Sequence, residues 1–186
     1  MKENFNLLSE FVRKDIPSVF NEVNVLRQHE ARFLHALNKD MVLPPYEIII
    51  HPSGRCTLQC HWCICGRVLE EKDSDKDSGS LPSLLTDPEN MEKVIRGIVD
   101  YKKAGFKVEN VSFSGITGEP LIAKKAFIRA VDILKENGIR VGIYTNAVLI
   151  DEEIIQSLLK IDYINVSIDA ATPETFANLK CNGNPR

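Results

Sequence analysis

Four of the chain's five cysteines are crowded between Cys56 and Cys65, and the first three of these form a CxxxCxxC array, Cys56-Thr-Leu-Gln-Cys60-His-Trp62-Cys63. Three thiolates can hold three irons of a cubane cluster and leave the fourth iron without a protein ligand, whereas an electron-transfer cluster normally has every corner occupied. The same residues admit a structural zinc site, with Cys65 or His61 as fourth ligand. They also admit one face of a helix, on which the spacings i, i+4 and i+7 align. The open-cornered cluster is the favoured reading. Thiols this dense make poor bridges and good metal ligands, so the array points to a metal site in a reducing compartment rather than to a disulfide framework. Cys181, far from the array in sequence, is read as a free thiol without a role.

Three other stretches set polar groups beside turns. In Phe113-Ser114-Gly115-Ile116-Thr117-Gly118-Glu119-Pro120-Leu121, Gly118 permits close backbone approach, Glu119 supplies an acceptor for an ammonium, and Pro120 fixes the turn. Ser167 and Asp169, two apart at the end of an apolar run, project to one face near the carboxyl end of a strand. Tyr144-Thr145-Asn146 closes another apolar run and offers Asn146. His51 is expected to be a strand-end histidine satisfied by backbone. His29 and His35 fall on an amino-terminal helix, and nothing recommends them as ligands.

The elements that must position these groups follow from periodicity. Residues 18 to 38 place Val19, Phe20, Val23, Leu26, Phe33, Leu34 and Leu37 at spacings of three and four, an amphipathic helix stopped by Pro44-Pro45. The β-branched run Tyr46 to His51 suits a buried strand, with the cysteines in the loop after it. Leu69 to Ser83 is charged and then Ser/Gly/Pro-bearing, which predicts a mobile surface loop. Beyond it the pattern predicts helices Pro88 to Ala104, Lys124 to Asn137, Asp151 to Lys160 and Pro173 to Lys180, alternating with strands Val108 to Phe113, Arg140 to Tyr144 and Tyr163 to Ile168. Asp87 and Thr172 stand as caps before a first-turn proline, and Gly105, Gly138 and Gly183 sit where helices should end. Four strands alternating with four helices imply right-handed crossovers and a parallel sheet.

With these motifs in place, the sequence resembles the radical S-adenosylmethionine enzymes, whose signature is CxxxCxφC with an aromatic residue before the last cysteine; Trp62 fills that position. The resemblance covers about residues 46 to 180. It implies that Cys56, Cys60 and Cys63, but not Cys65, which is then a bystander thiol, ligate a [4Fe–4S] cluster whose fourth iron is chelated by the amino and carboxylate groups of S-adenosylmethionine. The Gly118-Glu119-Pro120 turn looks like the family's GGEP motif, with Thr117 in place of its first glycine. Ser167 and Asp169 match its ribose motif, and Asn146 its TNG element, with Ala147 replacing glycine. The motifs fall in family order, at the carboxyl ends of successive strands. The implied chemistry is reductive cleavage of the sulfonium to methionine and a 5′-deoxyadenosyl radical, which abstracts hydrogen from an unidentified substrate. An electron donor such as flavodoxin or ferredoxin is implied too. No residue of the chain is assigned as catalytic.

The fold expected is α/β: an incomplete parallel (β/α) barrel with about four of six βα units over 44–186, behind a helical extension over 1–43. The chain is therefore read as a truncated, weakly active radical S-adenosylmethionine protein, with a non-catalytic iron–sulfur or zinc interaction protein as the alternative. Self-association through the open edge of the fourth strand is expected, since an unpaired edge is a template for another chain. Composition agrees with a folded domain: 186 residues, 44% hydrophobic and 26% charged. The formal charge is −3, and Glu70, Glu71, Lys72, Asp73, Asp75, Lys76 and Asp77 account for that imbalance, so no basic face for nucleic acid stands out. No apolar run approaches the roughly 18 residues of a membrane span, and a soluble, cytoplasmic protein is expected.

Overall fold

The computed structural model describes residues 22–39, 41–63, 83–115 and 118–181. The first part of the expected amino-terminal helix, the acidic loop, Cys65, Thr117 and Gly183 lie outside them. The chain divides into two compact units, one of Met1–Pro44 with Lys103–Phe106 and one of Pro45–Lys102 with Lys107–Arg186. In the first, helix α1 (Glu22–Lys39) carries Arg32 over the Phe106 ring, 5.2 Å from its centroid, and His35 against the same ring at 5.5 Å.

The second unit holds a parallel sheet of four strands: β1 (Glu47–Ile50), β4 (Asn110–Phe113), β5 (Arg140–Thr145) and β6 (Tyr163–Val166), in the order β1-β4-β5-β6. Ile48 pairs with Val111, Val111 with Val141, and Ile143 with Ile164, so successive strands stand side by side without a skipped position. Each step between neighbours from β4 onward is bridged by a helix, α3 (Lys124–Glu136) and then α4 (Glu152–Leu158). Helix α2 (Pro88–Asp100) precedes β4, and α5 (Pro173–Lys180) follows β6. This is the α/β arrangement expected for part of a barrel; among the described residues the sheet does not close.

Alternation along the strands divides the two faces. Val111, Phe113, Val141 and Ile143 are fully buried with Met91, Ile95, Phe127, Val131 and Leu134 from α2 and α3. Phe113 and Phe127 meet edge to face at 4.9 Å. Among the intervening residues, Glu47 Oε1 accepts from Asn110 Nδ2 (2.7 Å) and Ser112 Oγ (2.8 Å). Gly142 lies opposite Tyr163 on the neighbouring strand, and a side chain at Gly142 would run into the tyrosine ring.

The helix starts were legible as caps. Asp87 accepts from the N–H groups of Glu89 and Asn90, and Thr172 from that of Thr175, each ahead of a proline in the first turn. One end differs from expectation, because α2 stops at Asp100 rather than Ala104. Ala104 and Gly105 both adopt left-handed backbone (φ 52° and 82°) and turn a short hairpin between β2 (Lys102–Lys103) and β3 (Phe106–Lys107). Gly105 is therefore a hairpin residue and not a helix terminator.

Candidate cofactor site

Cys56 to Cys63 form an irregular loop past β1, with one turn closed by Cys63 N–H donating to Cys60 O at 3.0 Å. The alternative in which the three cysteines share a helix face is thereby overturned. A loop without a ladder of its own must be held by its surroundings, and three elements hold this one.

The first is the turn after β4. Glu119 N–H donates to Arg55 O at 2.7 Å, and Gly118 N–H to Gly115 O at 3.1 Å. A Cβ on Gly118 would overlap the backbone of Ser53 and Arg55, so glycine is required where the two loops cross. Close approach was expected at this residue; the backbone it approaches is that of the cysteine loop. Pro120 opens a short 3₁₀ turn, Pro120–Ala123, and is buried.

The second is the end of β5. Glu119 is only 2% exposed, and both of its oxygens accept from the protein. Oε1 takes Thr145 Oγ1 at 2.6 Å and Leu121 N–H at 3.1 Å; Oε2 takes Asn146 N–H at 2.9 Å. Asn146 Nδ2 then reaches Thr57 Oγ1 (3.3 Å) and Cys56 Sγ (3.6 Å). One buried side chain thus ties the turn after β4 to the end of β5, and through Asn146 to the first cysteine. The sequence reading saw the acidic group but not this use, because the ammonium-acceptor role is local whereas its partner Thr145 is 26 residues away. Ala147, in the position the family gives to glycine, holds φ 64°.

The third is the last turn of α5. Gln59 N–H donates to Lys180 O (2.8 Å) and His61 N–H to Leu179 O (3.1 Å), so the loop satisfies carbonyls that the helix end leaves open. Lys180 itself is 2% exposed. Its ammonium lies over Trp62, 5.7 Å from the ring centroid, and pairs with Asp169 Oδ2 at 2.5 Å. Sequence reasoning missed Lys180, since its burial depends on a loop more than a hundred residues earlier.

Ser167 and Asp169 lie beyond the end of β6 at Val166, in a loop where Asp169 takes φ 52°. The strand alternation expected to aim both at one face therefore stops short of them. Ser167 stays tied to the sheet through its N–H, which donates to Thr145 O at 3.0 Å. His51 Nδ1 meets Ser114 O at 2.9 Å, the backbone contact expected of it, and Cys181 is buried at the end of α5.

The three cysteines are free thiols, Cys56 exposed and Cys60 and Cys63 half-buried. Burial pushes the Cys60 thiol up, Lys180 pulls against this, and Cys56 and Cys63 both add to the rise. Cys56 and Cys63 both act on Cys60, and the three together are an all-thiol donor set of the kind iron–sulfur clusters use. Among the described residues no three His, Cys, Asp or Glu side chains converge as ligands of a single metal ion. A cluster spreads its thiolates over separate irons and does not need such convergence.

The sequence matches the radical SAM superfamily over residues 50–185. The chain belongs to that superfamily. Its cofactors are accordingly a [4Fe–4S] cluster and S-adenosylmethionine, and the sulfur-only donor set fits the first of them. An uncharacterized protein of Methanocaldococcus jannaschii is 25% identical over 142 residues, 75% of this chain and 40% of that protein. Among solved structures, the chain is similar to Streptococcus suis SuiB bound to the precursor peptide SuiA, at 24% identity and a TM-score of 0.49, covering 88% of this chain and 34% of SuiB. It is also similar to BtrN in an open conformation, at 22% identity and a TM-score of 0.46, covering 73% of this chain and 55% of BtrN. The radical SAM chain described here therefore spans well under two thirds of these relatives. Among its described residues no helix is long and apolar enough to cross a membrane.

Proposed function

We propose that Cys56, Cys60 and Cys63 hold the [4Fe–4S] cluster with one iron left for S-adenosylmethionine, and that Gly118, Glu119, Pro120, Asn146, Ser167 and Asp169 form the cofactor's side of the site. The observation that carries this reading is the clamping of the three-cysteine loop between Glu119, Asn146 and the end of α5, all at the carboxyl rim of one parallel sheet. That rim is where parallel α/β folds place their ligands. When bound, the cluster supplies the electron that cleaves the sulfonium to methionine and a 5′-deoxyadenosyl radical for hydrogen abstraction from substrate, with a flavodoxin or ferredoxin as donor. The chain's own residues orient and enclose. Glu119 fixes the turn whose backbone faces the cysteine loop, Asn146 fixes the first cysteine, and Asp169 with Lys180 fixes the loop's far side.

Enclosure by the described residues is partial. Ile164, Val166 and Ile168 are 45%, 39% and 62% exposed on and beyond β6, whose described pairing is with β5. We therefore propose slow turnover by this chain alone, since water access favours radical quenching. We also propose that the β6 edge pairs with a strand of another chain. Light scattering tests the pairing: self-association that Val166→Lys suppresses is expected, and a stable monomer across micromolar concentrations contradicts it. The function is tested by anaerobic assay with dithionite. Dithionite-dependent 5′-deoxyadenosine, slow but above a Cys60→Ala control, is the expected result. Production no greater than the control overturns the function, and rapid production overturns the partial enclosure.

A further inference from the structure

Lysine is almost never fully buried without a compensating partner. Lys180 is 2% exposed, and its carboxylate partner Asp169 has a side chain 44% exposed to water. An apolar side chain at position 180 would fill the space under Trp62 without removing a charge from solvent. The backbone leaves the residue little freedom to withdraw, because Lys180 O and Leu179 O accept the N–H groups of Gln59 and His61, on either side of the second cysteine. Completing the helix end does not account for the charge either, since the loop's own N–H groups already satisfy those two carbonyls.

We propose that Lys180 is a positioning residue that fixes a cation against the cysteine loop and thereby raises the reduction potential of the cluster. The proposal rests on the reading of Cys56, Cys60 and Cys63 as ligands. A cubane carrying three thiolates is anionic, and the added electron makes it more so. A fixed positive charge at low dielectric therefore stabilises the reduced state more than the oxidised one. Asp169 opposes this, but its carboxylate is shared with water. Trp62 covers one side of the ammonium and keeps it in place.

The test uses the full chain, reconstituted anaerobically with iron and sulfide, in the absence of S-adenosylmethionine. Iron content and the visible spectrum report whether the cluster is held; a potentiometric titration followed by electron paramagnetic resonance reports its midpoint. Lys180→Met is expected to keep iron and to shift the midpoint negative, Lys180→Arg to restore the wild-type value, and Asp169→Asn to shift it positive. A fully loaded Lys180→Met with an unchanged midpoint overturns the proposal. Where Lys180→Met does not retain iron, Asp169→Asn decides: a positive shift supports the proposal, and an unchanged or negative midpoint overturns it. A wild-type chain that loads no iron removes the cluster reading itself, and the inference goes with it.

Discussion

The helix-covered face of the sheet and the anchoring groups of its carboxyl rim, Glu119, Thr145 and Lys180, are both buried, yet different forces hold them. On the face, Val111, Phe113, Val141 and Ile143 meet Met91, Phe127 and Val131 with no polar atom among their side chains. At the rim, the buried groups include the polar Ser53, Glu119, Thr145 and Lys180, and the cysteine loop is tied by hydrogen bonds and one ion pair. Apolar packing is many small terms, so damage to it spreads through the fold. A polar network depends on single atoms, so removing one partner leaves another buried and unsatisfied. Global stability should therefore reside in the face and cofactor competence in the rim.

Phe127→Ala should break the face. It deletes a fully buried ring in edge-to-face contact with Phe113 and is expected to cost about 3–5 kcal/mol in chemical denaturation, while the fraction that remains folded still loads iron. Glu119→Ala should break the rim. The loss of a buried acceptor for three donors is expected to cost about 2–3 kcal/mol, and iron loading should fall further than the folded fraction does. Equal losses of loading per folded molecule in the two variants would erase the distinction between the regions.

Ala147→Gly probes strain stored at the rim. A non-glycine residue at φ 64° carries a penalty of roughly 1 kcal/mol, so the substitution should raise the denaturation midpoint modestly, even though it also loosens the unfolded chain. The smallest effect is expected on the exposed side of the helix layer, where Glu92 bridges Arg96 and Arg129. Hydrogen bonds from Arg129 and then Arg96 hold its carboxyl at about 2, below the ordinary 4.5. A depressed folded pKa means that the contribution is present above pH 4.5 and is lost as pH falls towards 2. The stability gap between wild type and Glu92→Gln should therefore be small at pH 6 and smaller still at pH 3. A gap that widens on acidification would reverse the assignment.

The face was legible in the sequence because strand and helix periodicities are local. The runs Ile48 to Ile50, Val111 to Phe113 and Arg140 to Tyr144, and the caps Asp87 and Thr172, need no knowledge of partners. The end of α2 was misjudged because Gly105 has the same appearance after a helix as inside a hairpin, and only Ala104 joining it in left-handed backbone decides between them. At the rim the residue types were legible and their couplings were not. Gly118 and Glu119 read as a turn and an acceptor, but the partners that give them meaning, Arg55 and Thr145, lie on other strands' ends. Lys180 reads as an ordinary basic residue in a last helical turn until the cysteine loop folds over it.

The account rests above all on three cysteines acting together at an open-cornered cluster, and iron counting after anaerobic reconstitution tests this most directly. About four irons per wild-type chain are expected, with loading abolished by Cys56→Ala, Cys60→Ala and Cys63→Ala individually and retained in Cys65→Ala. Loss of the cluster in Cys65→Ala to the same degree would mean four protein ligands, no open iron for S-adenosylmethionine, and a contradiction of the central claim.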